Sequence, residues 1–227
     1  MSEHADPDWF PPLEHALREP PGLLAAGGDL KPARLLAAYE RGVFPWYSAQ
    51  QPILWWSPDP RMVLFPEEFK CSRSLRKTLR NGPYTSRVDS DFGATIRGCA
   101  APRRTGPDTW LNDDMIASYE ELHELGFGHS IEIYEADELA GGLYGIQLGQ
   151  VFFGESMFSR RRDASKVALA RLVDECRARD IQLIDCQVAS SHLASLGARE
   201  VSRGQFAVLL RRYARRQPRG SWTSAAA

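Results

Sequence analysis

Residues 130–153, SIEIYEADELAGGLYGIQLGQVFF, carry the clearest strand pattern in the chain. Residues 130–134 alternate between polar and apolar side chains, which is typical of a half-buried strand. A polar turn at residues 137–138 leads into a second apolar run over residues 139–146. Gly149 marks another turn before the third run, residues 150–153. Three strands in succession with short turns predict an antiparallel meander.

The segments after the meander alternate between helix and strand. Apolar residues spaced three and four apart predict a long helix over residues 163–179, and residues 181–188 form an apolar run typical of a strand. Two shorter helices are expected at residues 190–196 and 202–216. We therefore predict an α/β (α+β) fold with a mixed, largely antiparallel sheet. This order of elements is similar to that of the acetyltransferase-like (GNAT) fold, but a fold alone does not specify a function.

The first third of the chain differs in composition, because prolines and aromatic residues are concentrated there. Pro32 and Gly42 bracket an expected helix over residues 32–40. Five aromatic residues and two prolines lie within residues 44–56, and prolines interrupt regular structure, so we expect much of this segment to be loop. A strand is expected over residues 61–65, and helices are expected from Ser72 to Arg80 and from Asn112 to Leu125. We expect a small N-terminal domain, residues 1–62, and a larger domain, residues 63–227.

Composition excludes several classes of protein. The 227 residues carry 28 basic and 29 acidic side chains, a net charge of −1, and no apolar run reaches the roughly 18 residues of a membrane span. No secretory signal is expected, and the four cysteines are scattered, so we expect a cytoplasmic, reduced protein without membrane association. No P-loop motif is present. His123 and His129 are too far apart for an H-E-x-x-H metal site, and residues 154–158, GESMF, only weakly favour a serine hydrolase.

Asp185 and Gln187 are the sharpest chemical signal. They lie two residues apart in the apolar strand LIDCQV, so both side chains lie on one face. A carboxylate and an amide there are either hydrogen-bonded parts of the core or catalytic groups, and the residues alone leave both readings open. Glu155 follows an apolar strand and could bind an ammonium group, or it could lie in a surface turn.

Two basic clusters interrupt the otherwise balanced charge. Each is either a polyanion-binding surface or a solvated helix face, and the sequence favours neither reading. The aromatic rings of residues 44–56 could likewise form a small core or stack on a nucleobase. One cluster lies on one side of the expected helix at residues 72–80 and consists of Arg73, Arg76, Lys77 and Arg80. The other lies on the C-terminal helix and tail and consists of Arg211, Arg212, Arg215, Arg216 and Arg219.

Read together, several segments resemble the leucyl/phenylalanyl-tRNA–protein transferase family. The most specific are FPWYS (residues 44–48), ILWWSPDPR (53–61), FFGESMFSR (152–160) and LIDCQV (183–188). The resemblance extends from about residue 10 to about residue 212. It implies an aminoacyltransferase that moves Leu or Phe, and less well Met, from aminoacyl-tRNA to the α-amino group of proteins beginning with Arg or Lys. This reaction marks proteins for the bacterial N-degron (N-end rule) degradation pathway.

The resemblance also implies site residues and partners. Asp185 and Gln187 match the catalytic pair, in which Asp185 would polarise Gln187 and the Gln187 amide oxygen would draw a proton from the attacking amine. No metal or other cofactor is implied, and we expect a monomer. Glu155 matches a residue beside the amino-acid head group. The resemblance implies an apolar pocket for the transferred side chain, formed by Leu143, Phe152, Leu169 and Leu172, and aromatic residues near the terminal adenosine, Trp46 and Trp110. It also implies a basic face for the acceptor stem, formed by Arg73, Arg76, Lys77 and Arg80.

Two departures and two rival functions accompany this interpretation. Leu143 stands where the family usually has Met, and Leu172 where it often has Phe, which alters the expected pocket volume. An acetyl-CoA acetyltransferase is one rival, but the R/Q-x-x-G-x-G/A phosphate loop is absent from the sequence. The other rival is a tRNA-binding module without catalytic activity, in which Asp185 and Gln187 would be structural.

Overall fold

A three-stranded sheet and a seven-stranded sheet organise the part of the chain that the computed structural model describes, residues 9–102 and 111–222. Single 3-10 turns lie at Leu13–His15 and Pro66–Glu68. The remaining elements, in chain order, are β1 Leu23–Ala26, α1 Pro32–Glu40, β2 Phe44–Pro45, β3 Leu54–Trp56, β4 Arg61–Leu64, α2 Arg73–Asn81, β5 Tyr84–Val88, α3 Phe92–Ala100, α4 Asp113–Glu124, β6 Gly128–Glu135, β7 Glu138–Leu148, β8 Val151–Ser159, α5 Ala164–Ala178, β9 Leu183–Gln187, α6 Ser191–Ser195, β10 Arg199–Val201 and α7 Arg203–Tyr213.

The large sheet confirms the predicted fold class. Its strand order is β10-β4-β9-β8-β7-β6-β5, and every neighbouring pair is antiparallel except β8 with β9. The meander β6-β7-β8 is confirmed, as are the long helix and the strand that follow it. Helix α5 forms the crossover that a parallel connection requires.

The parallel pair separates after a short ladder. Strands β8 and β9 are paired only from Val151 with Leu183 to Phe153 with Asp185. Beyond that point β8 continues beside β7, whereas β9 continues beside β4. The two strands therefore leave a gap in the middle of the sheet, between residues 154–157 and residues 186–188.

Two apolar clusters lie on opposite faces of the sheet. Phe153 and Leu183 belong to the cluster formed with α1, α3, α4 and the small sheet, whereas Phe152 and Ile184 belong to the cluster formed with α2 and α5. Successive strand residues alternate between the two clusters because their side chains point to opposite faces. The gap between β8 and β9 therefore connects two separately packed layers.

Local sequence signals account for several helix boundaries. The Ser72 hydroxyl accepts from the Leu75 amide at 3.1 Å, and the Asn112 side chain accepts from the Met115 amide at 3.0 Å, so the predicted caps of α2 and α4 are present. Gly42 ends α1 with a φ of 75° and lies directly against Phe206. A side chain there would combine backbone strain with a close contact.

Part of the aromatic segment differs from the expectation of a loop. Phe44–Pro45 and Leu54–Trp56 are strands of the small sheet, whose order is β1-β3-β2. Pro45 lies on its edge strand, where a missing backbone donor is tolerated. Strands β5 and β10 and helix α3 were also missed. Their sequences are short or mixed in polarity and show no clear period.

The helices of residues 9–102 and 111–222 include none that is both long enough and apolar enough to cross a membrane.

Candidate active site

Asp185 forms a buried ion pair with Arg61, the first residue of the neighbouring strand β4. The Arg61 Nε lies 2.8 Å from Asp185 Oδ1, and its Nη2 lies 2.6 Å from Oδ2. Both side chains are almost completely buried, at 1% and 0% exposure. The guanidinium also donates to the Gly42 carbonyl at 3.1 Å and packs against the rings of two phenylalanines. A bidentate pair with these additional contacts holds the carboxylate in a fixed orientation.

Asp185 contacts Gln187 through the backbone. Its Oδ1 accepts a hydrogen bond from the Gln187 amide at 3.0 Å, and Gln187 has a left-handed φ of 57°. The contact therefore supports an unfavourable backbone conformation at the point where β9 ends. The expected polarisation of the Gln187 side chain does not appear as a direct contact with Asp185.

Glu155 lies at the centre of a hydrogen-bond network. The Gln187 side-chain nitrogen donates to Glu155 Oε1 at 3.0 Å, the Tyr119 hydroxyl donates to Oε2 at 2.8 Å, and the Tyr39 hydroxyl lies 2.8 Å from that of Tyr119. The Gln187 nitrogen is thus engaged, and the described residues place no hydrogen bond on its side-chain oxygen. The network leaves an amide acceptor beside a buried carboxylate.

The surroundings of Glu155 favour its neutral form. Burial raises the pKa of Glu155 from 4.5 to about 7, although the hydrogen bond from Tyr119 opposes the shift. Residues 154–159 belong to β8, so the alternative that Glu155 lies in a surface turn is wrong. The polar residues of this stretch hid the strand in the sequence. They occur there because both faces of the sheet are covered, and buried polar side chains can form hydrogen bonds with one another.

A cavity of about 320 Å³ opens at the gap between β8 and β9. Glu155, Asp185 and Gln187 line its polar side, and Leu143, Leu169 and Leu172 line its apolar side together with Ile184 and Leu193. Phe152 does not line this cavity. It is fully buried in the apolar cluster that contains the three leucines. The cavity thus combines a buried carboxylate and amide with space for an aliphatic or aromatic side chain.

Cys186 also lines the cavity but is poorly suited to act as a nucleophile. Burial, with the nearby Asp185 charge, raises the pKa of the Cys186 thiol well above its usual range. The thiol therefore remains protonated near neutral pH.

The two predicted tryptophans have different outcomes. Trp46 is 44% exposed, tilts against Trp56 at 5.7 Å between ring centroids, and borders a neighbouring cleft. Trp110 lies outside the described residues, as does the stretch 103–108 that precedes it.

The predicted basic helix is solvent-exposed. Arg73, Arg76, Lys77 and Arg80 are all exposed on α2, whereas Leu75 is buried beneath them. Across residues 9–102 and 111–222, none of the four forms an ion pair with an acid. Helix α2 packs on α5, which carries Leu169 and Leu172 of the cavity. A positively charged surface therefore lies one helix away from the cavity.

The histidines of the weak metal motif have separate structural partners. The His123 Nδ1 lies 2.8 Å from the Gly128 carbonyl, and the His129 Nδ1 lies 2.8 Å from Asp89. Where the chain is described, no group of three or more His, Cys, Asp or Glu side chains is arranged to hold a metal ion.

Three residues of the network were not identified from the sequence. A lone arginine at the start of the apolar strand RMVL was a usable signal for Arg61, because a charge in a covered strand needs a partner. Tyr39 and Tyr119 lie on the buried sides of α1 and α4, where the sequence pattern makes them ordinary core residues. Only the packing of α1 on β7 and on α4, and of α4 on β6, brings the two hydroxyls into the network of Glu155.

Comparison with known proteins gives one consistent family. The sequence model of the family "Leucyl/phenylalanyl-tRNA protein transferase" matches residues 63–211. The sequence model of the N-terminal domain of the same family matches residues 28–59. A protein called leucyl/phenylalanyl-tRNA–protein transferase from Pseudomonas entomophila is 57% identical over 94% of this chain and 94% of its own length. A protein of the same name from Nitrosospira multiformis is 55% identical over 93% of this chain and 91% of its own length. A GCN5-related N-acetyltransferase from Kribbella flavida aligns over 75% of this chain and 61% of its own, with 11% identity and a TM-score of 0.41.

Proposed function

This chain belongs to the leucyl/phenylalanyl-tRNA–protein transferase family of aminoacyltransferases, and from that premise we propose the reaction that its site performs. The protein transfers leucine or phenylalanine, and less well methionine, from aminoacyl-tRNA to the α-amino group of an acceptor protein. The observation that carries the proposal is the cavity at the gap between β8 and β9. It places Glu155 and Gln187 beside a pocket large enough for such a side chain.

The chemistry requires a neutral amine and a path for one proton. The amine nitrogen attacks the ester carbonyl carbon, an amide bond forms, and the bond to the ribose oxygen breaks. The proton lost by the amine must finally reach that oxygen. Because an α-amino group has a pKa of about 8, only about a tenth is neutral at pH 7. Positioning that neutral fraction beside the ester is the main task of the site.

Gln187 and Asp185 form the proposed catalytic pair. The Gln187 side-chain nitrogen is held by Glu155, so its oxygen is available to accept a hydrogen bond from the incoming amine. Asp185 positions Gln187 through the backbone amide and is itself positioned by Arg61. An amide oxygen is a very weak base, so Gln187 orients the amine and does not store its proton.

Glu155 has two proposed roles. Its carboxylate binds the amino group of the transferred amino acid, in agreement with the family resemblance. With a pKa raised to about 7, it also can accept the proton of the attacking amine and return it to the ribose oxygen. The hydrogen bond between Glu155 and Gln187 supports the proposal that the two groups act on the same proton.

The remaining predicted positions are proposed to bind the aminoacyl end of the tRNA. Leu143, Leu169 and Leu172 surround the transferred side chain, and Phe152 supports them from within the same cluster. Trp46 and Trp110 are proposed to stack on the terminal adenosine.

The tRNA-binding face, the domain division and the acceptor proteins are proposed from the charge of the surface and the family resemblance. The exposed basic face of α2, formed by Arg73, Arg76, Lys77 and Arg80, is proposed to take the acceptor stem, since unpaired cations replace counterions on phosphates. We propose residues 1–62 and 63–227 as the small and large domains of a cytoplasmic monomer. The acceptors are proposed to be proteins with N-terminal Arg or Lys, which this reaction would direct to the N-degron pathway.

A transfer assay tests the function directly. Purified protein is incubated with labelled leucyl-tRNA and a peptide beginning with Arg, beside an N-acetylated copy of the peptide. We expect label to move only to the free-amine peptide. Binding of tRNA without transfer to either peptide would refute the enzyme and leave a tRNA-binding module.

A further inference from the structure

The segment that follows α7, residues 214–222, returns to the large sheet and inserts Trp222 into an apolar cluster. The Arg219 backbone amide donates to the Arg179 carbonyl at 2.8 Å, and the Arg179 guanidinium donates to the Ser221 carbonyl at 2.8 Å. The Trp222 side chain is 5% exposed and belongs to the cluster formed with α2 and α5. The segment is therefore anchored just after α5 and contributes a side chain to the cluster that surrounds the catalytic cavity, the one at the gap between β8 and β9.

Three contacts hold the Trp222 indole in one orientation. Its Nε1 donates to the side-chain oxygen of Gln147, which provides the partner that a buried indole N–H needs. The indole stacks on the His129 ring, with 4.5 Å between ring centroids and 13° between planes. The Arg179 guanidinium lies 4.8 Å from the indole centroid, close enough for a cation–π contact. The indole is therefore a fixed part of the cluster.

The Trp222 indole lies directly behind Phe152 as seen from the catalytic cavity. The two rings are 5.6 Å apart between centroids. Trp222 contacts Gln147, the register partner of Phe152 near the turn between β7 and β8. The cavity lies in the other direction along β8, at residues 154–157. Phe152 is therefore placed between Trp222 and the cavity.

The Phe152 ring is confined by its other neighbours. It lies so close to Gly145 that a Cβ on that residue would come within 2.5 Å of the Phe152 Cε1. Ile184, which lines the cavity, is the register partner of Phe152 on β9 and belongs to the same cluster. Close-packed interiors transmit a change at one side chain to its neighbours. Loss of the Trp222 indole would therefore open space into which Phe152 can move, away from the cavity.

We infer that Trp222 is a positioning residue that sets the depth of the pocket for the transferred side chain, acting through Phe152. The inference rests on the proposed transfer reaction, because it concerns the choice between the two amino acids in that reaction. Without the indole, Phe152 withdraws and the pocket becomes deeper. The side chain of phenylalanine is longer than that of leucine, so phenylalanine gains more from a deeper pocket.

The test measures kcat/KM for phenylalanyl-tRNA and for leucyl-tRNA in competition, with one Arg-peptide as acceptor. The proteins compared are the parent, Trp222→Ala, Trp222→Leu and the control Ile96→Ala. Ile96 is fully buried in the cluster on the opposite face of the sheet, so the control also leaves a void in the core but not beside Phe152. Trp222→Leu keeps the position apolar and tests the same claim should Trp222→Ala fail to fold.

We expect the ratio of kcat/KM for phenylalanine to that for leucine to rise about tenfold in Trp222→Ala and by a smaller factor in Trp222→Leu. The control should retain the parent ratio. The single-turnover rate at saturating leucyl-tRNA should change little in the Trp222 variants, because the polar side of the cavity is untouched. An unchanged ratio in folded Trp222 variants, or an equal rise in Ile96→Ala, would overturn the inference.

The route through Phe152 has its own test. Trp222→Leu should change the ratio much less in a Phe152→Leu background than in the parent, since two substitutions that act through one contact are not additive. Equal effects in the two backgrounds would overturn the route and with it the inference. Absence of transfer by the parent from either charged tRNA would instead refute the proposed function itself.

Discussion

The two sides of the catalytic cavity are held together by different forces. On one side, Asp185, Gln187 and Glu155 depend on a buried ion pair and directional hydrogen bonds. On the other, leucines of α5 and β7 form a wall that depends on packing alone. Removal of one partner of a buried ion pair or hydrogen bond leaves the other partner unsatisfied and lowers the stability of the fold. Apolar walls tolerate changes of side-chain shape at a smaller loss of stability. The polar side should therefore be sensitive to single substitutions, and the apolar side should be adjustable.

Removal of the Asp185 carboxylate should have the largest effect. In Asp185→Ala the Arg61 guanidinium remains buried without its partner, which should lower the free energy of unfolding by about 3–5 kcal/mol. Transfer should fall about 100-fold or more, because Gln187 loses the contact that positions it. Denaturant unfolding and single-turnover transfer measure the two effects.

A double variant separates stability from catalysis at this position. Arg61→Met with Asp185→Leu removes both charges, so most of the lost unfolding free energy should return. Transfer should stay as low as in Asp185→Ala. Recovery of transfer in the double variant would show that Asp185 has only a structural role.

Replacement of Glu155 should change both transfer and the pH dependence of stability. Because the pKa of Glu155 is raised from 4.5 to about 7 on folding, its contribution to stability is fully present below about pH 4.5 and is lost as pH rises through 7. In Glu155→Gln this loss should disappear, so the change in unfolding free energy between pH 4.5 and pH 7.5 should differ from that of the parent by up to about 3 kcal/mol. Transfer should fall about tenfold to 100-fold.

Asp163 provides a control of opposite sign for Glu155. The hydrogen bond from Lys166 lowers the pKa of Asp163, so this carboxylate contributes stability above its unfolded pKa that is lost as pH falls. Asp163→Asn should remove some stability at neutral pH without removing the loss assigned to Glu155. A Glu155→Gln profile parallel to that of the parent would contradict the raised pKa.

On the apolar side, a substitution should alter selectivity more than rate. Leu172→Phe adds volume to a wall of the 320 Å³ cavity, so it should disfavour phenylalanine relative to leucine by about tenfold in kcat/KM. Competition between the two charged tRNAs measures this ratio. Ile181→Val is a suitable control, since Ile181 belongs to the same cluster but does not line the cavity. The control should cost about 1 kcal/mol of stability and leave the ratio unchanged.

The basic face of α2 should affect binding and leave the chemical step intact. Arg76→Glu with Arg80→Glu should weaken aminoacyl-tRNA binding and reduce the slope of log K against log salt by about 2. The rate at saturating tRNA should change little. The pair Arg211→Glu with Arg215→Glu on the C-terminal basic segment is the comparison. An unchanged salt slope in the α2 variant would exclude this helix from the interface.

Short-range signals made much of the fold predictable. The meander, α2, α4 and α5 were predicted from strand alternation, helical spacing and caps such as Ser72 and Asn112. The strands at Phe44–Pro45 and Leu54–Trp56 were missed because aromatic and proline residues there satisfy a small sheet that no short window reveals. Such strands depend on partners elsewhere in the chain.

The site was predictable only where its chemistry was local. Asp185 and Gln187 share one short strand, so their common face followed from alternation. Arg61, by contrast, is 124 residues away from Asp185 in the sequence. Glu155 was recognised as a candidate, but its burial was not, because its partners Tyr119 and Gln187 come from other elements. Long-range pairing of polar groups sets these environments.

The most direct test of the account is the substitution Gln187→Met. Methionine has nearly the same size but lacks the amide oxygen that is proposed to receive the attacking amine. Single-turnover transfer of labelled leucine to an Arg-peptide should fall about 100-fold, while the Kd for leucyl-tRNA remains close to that of the parent. The free energy of unfolding should fall by about 1–3 kcal/mol, because Glu155 loses the hydrogen bond from the Gln187 nitrogen. A folded Gln187→Met protein that transfers leucine at the parental rate would show that Gln187 does not position the nucleophile.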